Sequence, residues 1–149
     1  MNAQLLPALA LGLLMVAADD AAEKAKAKDL AAFQGEWRVT WIERDGEKIE
    51  LDDDAVYAIK GNKWLKGGRE ISSIEIDPSC TPKLLNLTRL VDDAKKGFKM
   101  EGIYKIDGDT MVWCYYTGEG IKNRPQRFRA PKGWDGTVSH MTRVKRAKD

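Results

Sequence analysis

The chain has 149 residues, enough for one domain with a substantial hydrophobic core. Its 32% charged and 43% hydrophobic residues give the balance of a soluble globular protein and exclude a disordered chain. A formal charge of +2, with a pI near 8.5, is too small an excess to point to nucleic acid as a partner.

The N-terminus opens with an almost unbroken apolar run from Leu5 to Val16, too short to span a bilayer comfortably. Val16-Ala17-Ala18 then places small residues just before Asp19 and Asp20, where a signal peptidase cuts. Residues 1–18 therefore read as a signal peptide and the protein as exported, to the periplasm or beyond. No Lys or Arg precedes the apolar run, so an uncleaved N-terminal membrane anchor is the alternative. Export gives meaning to Cys80 and Cys114, since outside the cytoplasm a lone pair can close a disulfide. A loop of that length would stabilise the fold by roughly 3–4 kcal/mol in the chain-entropy model. Two separate, inert thiols are the other reading.

Residues 19–32 are rich in Ala, Lys and Glu, good helix formers without an apolar stripe. They read as a tether whose last turn is helical and packs Leu30 and Phe33 on the domain. From Gly35 the period changes to two. Trp37, Val39 and Trp41 alternate with Glu36, Arg38 and Thr40, which predicts a half-buried strand with all three apolar residues on one face.

Asp45-Gly46 and Gly61-Asn62 are hairpin signals, the second between Tyr57–Lys60 and Lys63–Lys66. After Gly67-Gly68, the apolar parity changes between Ile71 and Ile74, which predicts a β-bulge near Ser72-Ser73. Further strands follow at Leu84–Leu90, at Phe98–Ile106, from Met111 through Trp113 to Tyr115, and at Thr137–Val144, with Asp107-Gly108-Asp109 as a turn and a shorter segment around Arg124–Arg129. Eight or nine short strands joined mostly by tight turns predict an all-β, antiparallel, up-and-down barrel, because closure removes exposed edges.

Four segments carry a resemblance: FQGEWRVTWIERDGEKI, GIYKIDGDTMVWCYY, NRPQRF and the basic strand ending VKR. Together they resemble the lipocalin-like domain family abundant in planctomycete bacteria, a family of unestablished function, over residues 33–146, leaving 147–149 as a tail. The resemblance implies that Gly35 and Trp37 form the G-x-W that closes one barrel end. It also implies a late-strand cation, Arg143 or Arg146, stacked over the indole, an interaction worth around 0.5–2 kcal/mol.

An eight-stranded barrel is just wide enough to be filled by side chains or to hold one small ligand. The inferred interior is bulky, so a filled core is one reading. The other is a small apolar ligand held by Trp41, Met100, Gly102, Tyr104, Trp113 and Tyr115, with Gly102 leaving a notch. A second candidate is the surface stretch NRPQRFRAPKGW, where Arg124, Arg127, Phe128, Arg129 and Trp134 interleave cations with aromatics. That composition suits an anionic cell-surface polymer or a protein partner.

Nothing points to catalysis, a metal or a cofactor. His140 is the sole histidine, and with two cysteines it makes no zinc set of recognisable spacing. A Cys114–His140 nucleophile pair has no support beyond the existence of both residues. Asp52-Asp53-Asp54 and Asp107-Gly108-Asp109 lack the full calcium-loop pattern. The expectation is a non-enzymatic module.

Overall fold

The computed structural model describes residues 9–52, 55–117 and 124–145, with side chains from residue 17 onward. One helix, α1 (Leu9–Phe33), precedes nine strands: β1 (Gly35–Arg44), β2 (Glu47–Glu50), β3 (Val56–Lys60), β4 (Lys63–Lys66), β5 (Arg69–Asp77), β6 (Lys83–Arg89), β7 (Lys99–Asp107), β8 (Thr110–Tyr116) and β9 (Gly136–Arg143). All pairings are antiparallel. Because β1 pairs with β3 along one edge and with β9 along the other, eight strands close into a barrel. β2 lies outside that ring, hydrogen-bonded to the second half of β1.

The turns sit where their chemistry requires. Asp45 and Gly46 both have positive φ, 52° and 77°, the primed hairpin geometry that matches strand twist. The bulge in the β4–β5 pairing is at Ile71, one residue from the expected place: Trp64 faces Ser72 while Leu65 faces Glu70. The stretch around Arg124–Arg129 is not a strand. It runs as irregular chain across the outside of the barrel.

The interior cluster includes Trp37, Val39, Ile42, Ile59, Trp64, Ile74, Ile76, Leu85, Leu87, Tyr104, Met111, Trp113 and Met141. Phe33 belongs to it too, fully buried, with its ring 4.9 Å from that of Tyr104. The end of α1 thus plugs the barrel end at which β1 begins and β9 finishes. A second, smaller core lies on the outer face of β7, β8 and β9, where Ile103, Val112, Cys114 and Val138 are covered by Ala130, Phe128 and Trp134.

A charged side chain fixes the helical plug. Asp29 is buried, yet its Oδ2 accepts hydrogen bonds from the Tyr104 hydroxyl at 2.6 Å and from Lys83 Nζ at 2.7 Å. Burial alone would raise the Asp29 pKa, but the Lys83 and Tyr104 bonds and the Lys83 charge together hold it below its ordinary value of 3.8. A carboxyl with a depressed folded pKa contributes stability above its unfolded pKa and loses it as the pH falls through the folded one. We expect wild type to lose thermal stability between about pH 5 and pH 2 more steeply than Asp29→Asn, which starts lower at neutral pH. Melting curves of both proteins across that range test this.

α1 is longer than the expected single turn. It continues through the place where the sequence suggests a cleavage site, as its Ala, Lys and Glu content favours. Residues 1–8, and the side chains of 9–16, lie outside the described residues. Among the described residues no helix is long and apolar enough to cross a membrane.

Candidate functional site

The G-x-W end is built by contacts that converge on Arg143. Its guanidinium carbon lies 4.2 Å from the Trp37 ring centroid. The same group donates to the carbonyls of Gln34 and of Ala32 (2.9 Å) and to Asp109 Oδ1 (3.1 Å). Trp37 is fully buried and its indole N–H donates to the Phe33 carbonyl at 2.7 Å. Gly35 has φ +118°, a conformation L side chains rarely adopt, and a Cβ there would stand 2.9 Å from the Arg143 guanidinium. The glycine, the tryptophan and Arg143 therefore form one structural unit. Arg146, the alternative partner, lies outside the described residues.

The six residues expected to hold a ligand are not one site. Trp41 does not face the interior. A bulge between Val39 and Trp41 in the β1–β9 pairing shifts the parity, so that Ile42 takes the inward position. Trp41 instead stacks on His140 outside the barrel, with ring centroids 3.5 Å apart, and Lys48 Nζ is 4.9 Å from its centroid. Tyr104 is at the plugged end against Phe33 and Asp29; burial, then its bond to Asp29, raises its pKa.

The remaining four residues do gather. Trp113 stacks on Tyr115 at 3.8 Å and meets Trp64 at 5.7 Å, and the partly buried Met100 packs against the same cluster. Gly102, paired with Tyr115, leaves no notch. A Cβ there would be 2.3 Å from the Cys114 carbonyl oxygen and 2.7 Å from Trp113 Nε1, so the space is already taken. Trp113 Nε1 is buried with no hydrogen-bond partner.

The basic–aromatic stretch has a different organisation. Arg124 is a clamp: its guanidinium donates to Asn86 Oδ1 and the Gly102 carbonyl, both at 2.8 Å, and lies 3.4 Å from Glu101 Oε1. Phe128 packs over the outer core with Lys105 Nζ 4.9 Å from its ring centroid. Trp134 lies over Gly136, where an added Cβ would meet the ring at 2.1 Å, and it faces Tyr116 at 6.0 Å.

The β1–β2 hairpin anchors the rest of the stretch. Ala130 N–H donates to Glu43 Oε1 (2.9 Å), Gly133 N–H to Asp45 Oδ1 (2.6 Å), and Gly46 N–H to the Ala130 carbonyl (2.7 Å). Arg127, Arg129 and Lys132 remain exposed. On this anchored chain lies a groove of about 550 Å³ lined by Arg124, Pro125, Gln126, Arg127, Arg129, Pro131 and Trp134. The sequence suggested its cations and tryptophan. Its prolines and glutamine were not foreseen, because they carry neither the charge nor the aromatic ring by which the stretch was recognised.

Of the two readings of the cysteines the disulfide is corrected and the separate thiols stand: Cys80 and Cys114 are both free. Cys114 points to the outer face of β8 and is sealed beneath the stretch, its thiol directed at the carbonyls of Arg127 (3.4 Å) and Arg129 (3.8 Å). Burial pushes its pKa up to about 12. Cys80 sits in the β5–β6 connection, 3.4 Å from Asp77 Oδ2. A maleimide reagent is expected to modify Cys80 in the folded protein and Cys114 only after denaturation, which mass spectrometry of the labelled chain would read.

Asp29 and Lys83 were missed in the sequence because a single Asp in a charged helical tract carries no signal of burial. Among the described residues no three His, Cys, Asp or Glu side chains stand together as a metal site. Comparison of the chain with protein families, with curated proteins and with solved structures yields no match.

Proposed function

We propose that this chain is an exported, lipocalin-like barrel that works without catalysis, as an interaction module. In this reading the barrel interior is core and the outer segment 124–134 is the working surface. The observation that carries it is the groove beside Trp134, flanked by Arg127 and Arg129, whose side chains have no ion-pair partner among the described residues. Burying Phe128 and Ala130 and clamping Arg124 fixes the chain, so that its exposed cations are held in place before any partner arrives. A repeating anion, such as a sulfated or carboxylated polymer, suits exposed cations held along one irregular segment beside an aromatic ring.

Titration calorimetry with dextran sulfate tests this reading. Binding is expected to weaken steeply with added salt, and Arg127→Ala/Arg129→Ala to weaken it by about tenfold or more. Unchanged affinity in that double variant would remove the groove from the proposal.

A second reading, a small apolar ligand beside Trp113, draws on the unpartnered Trp113 Nε1, which an acceptor on such a molecule would satisfy. Against it stands the close contact of that nitrogen with the place of a Gly102 side chain.

A further inference from the structure

β2 is the only described strand paired along one edge alone. It is short and fully exposed, and the two large apolar side chains that stand exposed among the described residues belong to it or follow it directly: Ile49 (40%) and Leu51 (37%). An unpaired edge with apolar neighbours is a template for another strand.

The register of the hairpin decides which backbone groups are on offer. The two-residue turn Asp45-Gly46 makes Arg44 and Glu47 the closing hydrogen-bonded pair, and in antiparallel strands such pairs alternate. Ile49, opposite Ile42, therefore spends its N–H and C=O on β1, in step with the bond from Leu51 N–H to the Thr40 carbonyl. The N–H and C=O groups of Lys48 and Glu50 point away from β1, to the open edge.

These two residues flank Ile49 with opposite charges. When a second β2 lies antiparallel with Ile49 opposite Ile49 of the copy, Lys48 of each chain meets Glu50 of the other. Those are also the residues whose free backbone groups face outward, so four backbone hydrogen bonds and two opposite-charge cross-strand pairs form in one register. Ile49 takes the non-hydrogen-bonded position, where side chains approach most closely. Within one chain Lys48 Nζ and Glu50 Oε1 are 2.6 Å apart, both well exposed, so the pair needs only to exchange partners.

We propose that β2 is a self-complementary edge by which two copies of this protein join their sheets into a symmetric dimer. Shifting the register by one residue would oppose groups that are not both free. The device therefore also guards against foreign strands, as charged edges do.

Charge reversal tests the register. Sedimentation velocity of the full chain over a wide concentration series should show a reversible monomer–dimer equilibrium. Glu50→Lys and Lys48→Glu each put like charges opposite one another and are expected to weaken dimerisation by about tenfold or more. Both positions are exposed, and circular dichroism confirms that each variant is folded. Mixing the two variants restores both opposite-charge pairs and should restore the dimer to wild-type strength. A wild type that stays monomeric throughout, single variants that dimerise as well as wild type, or a mixture that fails to recover would each overturn the proposal.

Discussion

Replacing Trp37 by alanine is expected to cost about 3–5 kcal/mol, a large part of the stability a domain of this size has. The side chain is fully buried at the plugged end, and removing it strands three partners at once. The Phe33 carbonyl loses its indole donor, Arg143 loses the ring beneath it, and the last turn of α1 loses the wall it packs on. Arg143→Ala is expected to cost less, roughly 2 kcal/mol, since it removes the cation–π contact and the donors to Gln34 and Ala32 but leaves the core filled. Urea unfolding of both variants checks the order. Equal losses would contradict that order, and a Trp37→Ala change below about 1 kcal/mol would mean that this end does not hold the fold together.

Gly102→Ala is the second large effect, and an unusual one for the addition of a single methyl group. The new Cβ would stand 2.3 Å from a backbone oxygen of the neighbouring strand, which cannot swing aside as a side-chain tip can. We expect a loss at the upper end of the 1–3 kcal/mol typical of overpacking, and a chain too unstable to fold with Gly102→Leu. Thermal melts and near-ultraviolet circular dichroism, which reads the Trp113–Tyr115 stack, would follow it. Full tolerance of Gly102→Ala would mean that open space lies beside Trp113 and would revive the ligand-pocket reading.

Much of the barrel was legible because hairpins are local. Asp45-Gly46 and Gly61-Asn62 mark their turns by the positive φ they supply, and alternation from Met100 to Ile106 and from Met111 to Tyr115 gave the inward faces of β7 and β8. The parity change at Ile71 showed as a break between two apolar residues. The bulge after Val39 had no such signal: Trp41 is as apolar as the inward residue the alternation demanded, and only the pairing with β9 turns it outward.

The plug was half legible. Leu30 and Phe33 show an apolar i, i+3 pair, but the burial of Asp29 depends on Lys83 and Tyr104, more than fifty residues away in the chain. The stretch from Arg124 to Trp134 advertised its charges but not its architecture. Phe128 and Ala130 cover a second core that exists only because Ile103, Val112, Cys114 and Val138 happen to share one outer face.

In the proposed function the barrel interior is packed core and the outer stretch binds the partner. The five tryptophans report on both. Trp64 and Trp113 are inside, Trp37 at the plugged end, Trp41 on the outer face beside His140, and Trp134 in the groove. The decisive measurement is the nuclear magnetic resonance spectrum of the indole N–H groups during titration, first with a small apolar probe and then with dextran sulfate. The probe is expected to leave Trp64 and Trp113 unmoved and the polymer to shift Trp134. Movement of Trp64 and Trp113 with the probe, while Trp134 ignores the polymer, would contradict the proposed function.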